Sequence, residues 1–134
     1  MNGSRALFDS NTIIYLSKKE ISLSLSLLES FGEHYISVIT YMEVLGYLFK
    51  EPKEEEYIKE LFGLFRTIYI DQEIADRVVE IRKNHRIKLP DAIIAATALT
   101  HDLVLITRNT EDFKKLEMKL QNPITGSCGE RRGW

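Results

Sequence analysis

Leu89-Pro90-Asp91-Ala92-Ile93-Ile94-Ala95-Ala96-Thr97-Ala98-Leu99 and, after Thr100-His101-Asp102, Leu103-Val104-Leu105-Ile106-Thr107 decide the fold class of this chain. Proline is tolerated in the first turn of a helix, where its missing N–H would have no partner anyway. Pro90 therefore opens a helix whose apolar face is Ile93, Ile94, Ala96, Ala98 and Leu99. The run that follows is nearly all apolar. A strand of that kind is buried on both faces, as in a parallel sheet.

The same alternation extends in both directions. Arg5 to Asp9 (Arg-Ala-Leu-Phe-Asp) reads as a short buried strand ending in a carboxylate. Ser10, Asn11 and Thr12 follow as cap and turn residues, leaving the Asp9 carboxylate to point outward, before the apolar run Ile13 to Leu16. Residues 21–31 place Leu23, Leu27, Leu28 and Phe31 on one helical face. Tyr35 to Ile39 is strand-like, and Thr40 is expected to cap a helix carrying Met42, Glu43 and Leu45. Pro52 breaks that helix, and a new one from Glu54 runs through Tyr57, Ile58, Leu61, Phe62 and Phe65. Thr67 to Ile70 is a strand. Asp71 caps a helix with Ile74, Val78, Val79 and Ile81 inward. Asn109 or Thr110 caps a last short helix, and Met118 to Gln121 adds an edge strand. Strands alternating with helices predict an α/β fold with a central parallel sheet of four to five strands flanked by helices. Residues 40–66 form a helical hairpin inserted between two strands. Residues 1–121 read as one domain and 122–134 as a disordered Gly-, Ser- and Arg-rich tail.

At 134 residues, with 44% apolar and 28% charged residues, the chain has the balance of a globular domain that needs no staples. No run approaches the roughly 18 apolar residues of a membrane span, and no signal peptide fits before the first apolar run. Cys128 is the one cysteine, so an internal disulfide is excluded and a reducing cytoplasm is expected. The formal charge of −2 argues against a large sequence-independent nucleic-acid footprint. That objection weakens if acidic groups are gathered around a bound cation.

Four acids stand where strands run into helices: Asp9, Glu43, Asp91 and Asp112. A parallel sheet brings such positions to one edge, because sites collect at the carboxyl ends of its strands. Carboxylates gathered there repel, and a hard divalent cation is the usual remedy. The chemistry this suggests is metal-assisted attack on phosphate esters. Taken singly, each acid has a plainer reading: Asp9 as a cap, Glu43 as a solvent-facing residue, Asp91 and Asp112 as partners of helix dipoles.

The strings around the acids are more specific. Asp9-Ser-Asn-Thr-Ile-Ile-Tyr-Leu resembles the opening of PIN domains, and Thr40-Tyr-Met-Glu43 resembles their second element. Leu89 to Ala98 resembles the third, and Thr107-Arg108-Asn109 with Asp112-Phe113 the fourth. The likeness spans residues 5 to 120 in order and is greatest to the VapC-type ribonuclease toxins of toxin–antitoxin pairs. It implies a three-layer PIN-like fold and a metal-dependent endoribonuclease leaving 5′-phosphate and 3′-hydroxyl ends. Asp9, Glu43, Asp91 and Asp112 would be the catalytic carboxylates holding Mg²⁺ or Mn²⁺. Thr107 and Asn109 would support them, with Ser10 and Asn11 beside the first. Hard oxygen donors without a His/Cys cluster agree with that metal choice. Asp91 or Asp112 is the expected proton acceptor.

Arg108, Lys88 and Arg86 are the expected substrate contacts, Arg108 foremost because it precedes the site loop. Lys83 and His85 read as a solvated helix end. The resemblance also implies an RNA substrate, a homodimer and a small antitoxin partner. The helices Tyr41–Phe49 and Tyr57–Phe65 are the expected patch for that antitoxin. The rival readings are a non-catalytic PIN-fold module that binds RNA or protein, and a phosphoacceptor receiver domain. The receiver is disfavoured because Phe8 precedes Asp9 and Thr107 is followed by Arg108 rather than a lysine.

Overall fold

β1 (Arg5–Phe8) runs through the middle of the sheet because Ala6, Leu7 and Phe8 are apolar and completely buried. In the computed structural model, which describes residues 4–18, 21–47 and 49–123, β1 pairs in parallel with β2 (Glu33–Ser37) on one side. On its other side it pairs in parallel with β4 (Val104–Ile106). β3 (Arg66–Ile68) lies beyond β2, and β5 (Leu120–Gln121) beyond β4, giving the parallel order β3-β2-β1-β4-β5. The chain builds outward from β1 to β3, then returns to the opposite side of β1. The topological switch point therefore lies between β1 and β4, the crevice where α/β sheets hold ligands.

Alternation along β1 sorts the two faces. Ala6 and Phe8, with Ile106, face α1 (Ser10–Ser17), α2 (Ile21–Glu29), α3 (Val38–Leu45) and α4 (Pro52–Phe62) through Ile13, Leu16, Leu28, Val44 and Ile58. Phe8 meets Phe65 edge-on at 5.1 Å between ring centroids, an arrangement that aromatic quadrupoles favour. Leu7 and Leu105 face the other layer, α5 (Gln72–Asn84), α6 (Leu89–His101) and α7 (Thr110–Lys114), through Ile74, Ile81, Ile94 and Phe113. The result is three layers with two cores.

Several boundaries depart from the sequence expectation. Asp9 itself caps α1, its Oδ1 accepting from the Thr12 N–H at 2.9 Å. β2 ends at Ser37 rather than Ile39, because its last partner in β3 is Ile68. Ser37, not Thr40, then caps α3 by accepting from the Ile39 N–H at 3.1 Å. Thr40 is buried inside the helix with no partner for its hydroxyl. α3 stops at Leu45, so Pro52 starts α4 instead of breaking α3. Phe65 lies past the end of α4, buried in the turn before β3. Val79 is exposed, one position off the Ile74–Val78–Ile81 stripe. Asp71 does cap α5, and Pro90 does open α6. Asn122 is buried. Residues 124–134 of the expected tail, Cys128 included, lie outside the described residues. Among the described residues no helix is long and apolar enough to cross a membrane.

Candidate active site

The switch point presents Asp9 and Thr107 side by side. Phe8 is in register with Ile106, and the Asp9 N–H donates to the Ile106 carbonyl at 3.3 Å. The Thr12 hydroxyl donates to that same carbonyl at 3.1 Å, fixing α1 to β4. The Thr107 hydroxyl accepts from the Asn109 N–H at 3.0 Å and favours the ionised form of the Asp9 carboxyl beside it. Asp9 is almost fully buried. Burial raises its pKa above the ordinary carboxylate range and the Glu43 charge adds to this, while hydrogen bonds from Thr107 and Thr12 oppose.

Glu43 reaches the same place from α3. Ser10, expected beside Asp9, donates through Oγ to Glu43 Oε1 at 2.5 Å. Asp91 comes from the first turn of α6 and is half-buried. Desolvation raises its pKa, followed by the charges of Asp112, Asp9 and Glu43, with Lys88 opposing. Asp112, from the first turn of α7, is held by Asn109 Nδ2 at 2.5 Å. Two acids thus come from the α1–α3 layer and two from the α6–α7 layer.

Asp9, Ser10, Asn11, Glu43 and Asp91 line one cleft of about 250 Å³, walled by Ile14, Val44 and Ile94. A second cleft of about 670 Å³ shares Asn11, Glu43 and Asp91 and adds Asn109 and Asp112. All four acids border one depression. Among the described residues no three acidic, His or Cys side chains are gathered into a set that could hold an ion as they stand. Carboxylates that face one depression repel one another. Unit charges about 4 Å apart repel by about 4 kcal/mol at an effective dielectric of about 20, and a helix dipole offsets only about 1 kcal/mol. Ser10 and Asn109 meanwhile turn Glu43 and Asp112 toward partners of their own. The donor set is all-carboxylate, with exposed Glu43 and Asp112 able to turn inward. It fits a hard divalent cation and not a thiophilic one.

The PIN domain sequence pattern matches residues 6–118. The chain belongs to the PIN domain family. Within it, the similar proteins are of the VapC type. The chain is 30% identical over 119 residues to Ribonuclease VapC1 of Methanocaldococcus jannaschii, covering 85% of this chain and 82% of that protein. It is 29% identical over 123 residues to Ribonuclease VapC of Rickettsia bellii, covering 82% and 89%. Among solved structures, a toxin–antitoxin complex from Klebsiella pneumoniae superposes with a TM-score of 0.74 at 41% identity, covering 88% of this chain and 97% of that one. FitAcB from Neisseria gonorrhoeae gives 0.72 at 27%, covering 89% and 98%.

In this VapC-type PIN domain, the expected contacts Arg86 and Lys88 do line the second cleft. Arg108 lies outside the lining of both clefts, its guanidinium 5.0 Å from the Tyr15 ring centroid. Sequence reasoning missed Arg82 and Lys115, which also line the second cleft. The available signal was the position of Arg82 in the last turn of α5, four residues before Arg86.

Proposed function

We propose that this chain is a Mg²⁺- or Mn²⁺-dependent endoribonuclease, the toxin of a toxin–antitoxin pair acting in the cytoplasm. The observation that carries the reading is the convergence of Asp9, Glu43, Asp91 and Asp112 on one depression at the sheet's switch point, two of them with raised pKa. The similarity to proteins named Ribonuclease VapC supports it. A bound divalent ion would supply water activation and charge neutralisation on the phosphate. Asp9, buried and accepting from the Thr12 N–H at the start of α1, is the rigid anchor of the ligand set. Glu43 and Asp112 are orientable ligands, set by Ser10 and Asn109. Asp91, half-buried and made more basic by its surroundings, accepts the proton of the attacking water. Products carry a 5′-phosphate and a 3′-hydroxyl.

The partner is a small antitoxin. A cleft of about 600 Å³ between α1 and the α3–α4 hairpin is lined by Ile14, Val44, Tyr47, Phe49, Tyr57 and Ile58, with Lys18, Lys50, Lys53 and Glu54 also on its wall. It shares Ile14 and Val44 with the acidic cleft. A chain lying in it can direct an Arg or Lys among the carboxylates, a counter-charge in place of a metal. Exposed Tyr69 and Ile70, directly after β3 at the edge of the sheet, supply apolar surface for a homodimer.

Single-stranded and structured RNA incubated with the protein and Mg²⁺ or Mn²⁺ tests the reaction. Cleavage is expected to vanish in EDTA and to fall at least a hundredfold in Asp9→Asn. Cleavage that survives both overturns the mechanism.

A further inference from the structure

The larger cleft sets four cations beside Glu43, Asp91 and Asp112. Arg82, Arg86, Lys88 and Lys115 all line it, whereas the acidic cleft on its other flank is walled by Ile14, Val44 and Ile94. Among the described residues, none of these four cations forms a salt bridge with a carboxylate. They come from α5, from the loop between α5 and α6, and from the residue after α7. Two of them hold that loop by its backbone carbonyls. Arg82 Nε donates to the Ile87 carbonyl at 3.3 Å, and Lys115 Nζ donates to the Arg86 carbonyl at 2.9 Å. Each brace uses one donor, and guanidinium and ammonium groups carry five and three.

We propose that this flank is a track for RNA backbone phosphates on one side of the scissile bond. Arg86 and Lys88 contact those phosphates, and Arg82 and Lys115 act as positioning residues that hold the loop bearing them. The proposal rests on the ribonuclease reading of the adjoining acids. It departs from the sequence expectation in which Arg108 leads. Two phosphate contacts on a pre-set loop, backed by two bracing cations, also reconcile RNA binding with a net charge of −2, because the positive charge is local.

The test is fluorescence anisotropy with a labelled single-stranded RNA of about 20 nucleotides, longer than the cleft. It is run at fixed Mg²⁺ across a salt series, in an Asp9→Asn background. Each lost single-strand contact lowers the slope of log affinity against log salt by about 0.7. Arg86→Gln with Lys88→Gln is expected to lower it by about 1.4 and to weaken binding at least tenfold. Lys115→Met is expected to weaken binding about fivefold and Lys115→Arg to restore it to within twofold, as bracing by a cation requires. The remote pair Lys59→Gln with Arg66→Gln is the control and changes neither readout. An unchanged slope in the Arg86/Lys88 pair overturns the proposal, as does an equal fall in the control pair. Arg86 and Lys88 are exposed, so the test survives if an Arg82 variant fails to fold. Binding is read without cleavage. A protein that binds along this flank but cuts nothing would end the ribonuclease reading and keep the track, and cleavage with an unchanged slope would do the reverse.

Discussion

Ser10 Oγ donates to Glu43 Oε1 at 2.5 Å, joining the first residue of α1 to the last turn of α3. Asp9 is thereby followed directly by the residue that orients the second acid. Ser10→Ala is expected to reduce kcat/KM for RNA cleavage by about tenfold, the scale of one hydrogen bond to a charged group. The melting temperature should change little, because the bond is exposed. A kcat/KM within twofold of the wild type would remove Ser10 from the site.

Thr107→Val keeps the shape of the side chain and removes the hydroxyl. Asp9 then loses a donor that lowers its pKa, and the Asn109 N–H loses its acceptor. The Asp9 carboxyl becomes harder to ionise, so the acidic limb of the pH–rate profile should move to higher pH. Stability should fall by about 1–3 kcal/mol, as expected when a buried group is left unpaired. A pH–rate profile and a denaturant titration read the two effects separately.

Asp91 has a folded-state pKa above its ordinary value of 3.8. Its contribution to stability is full below that value and is lost as pH rises through the folded pKa. At neutral pH the charged side chain therefore works against the metal-free fold. Asp91→Asn in EDTA at pH 7 is expected to melt about 2–4 °C higher than the wild type, while the upward shift caused by Mg²⁺ shrinks. Thermal melts with and without the ion check both. A variant less stable in EDTA would show that Asp91 serves the fold first.

Ser37 and Thr40 separate two ways of starting α3. Ser37→Ala should cost about 1 kcal/mol, the usual value of a lost helix cap. Thr40→Val should be neutral or stabilising, because the buried hydroxyl it removes has no partner. Chemical denaturation of the two variants decides, and a larger loss for Thr40→Val would return the cap to Thr40.

The parts of this fold legible in the sequence are those whose signal is local. Arg5-Ala-Leu-Phe and Val104-Leu-Ile are apolar on both faces and could only be central strands, and Asp71 and Pro90 mark helix starts by their own chemistry. The start of α3 was not legible. Val38 and Ile39 suit a strand, and what stops β2 at Ser37 is the short length of β3, a tertiary fact. The four candidate acids stand out in the sequence through the strings around them, but their hydrogen-bond partners do not. Nothing near Ser10 in the sequence points to Glu43, and the bonds of Arg82 and Lys115 go to backbone carbonyls that carry no residue-type signature. Arg108 sits over Tyr15, a neighbour set by how α1 packs rather than by its own string.

The acids divide evenly between the layers: Asp9 and Glu43 belong to the α1–α3 side, Asp91 and Asp112 to the α6–α7 side. Any ligand that engages both pairs closes a circuit across the sheet and staples two separately packed halves. Opening either half would then require letting go of the ligand. Amide exchange in α1 and in α6, on opposite sides of the molecule, should slow together when the depression is filled.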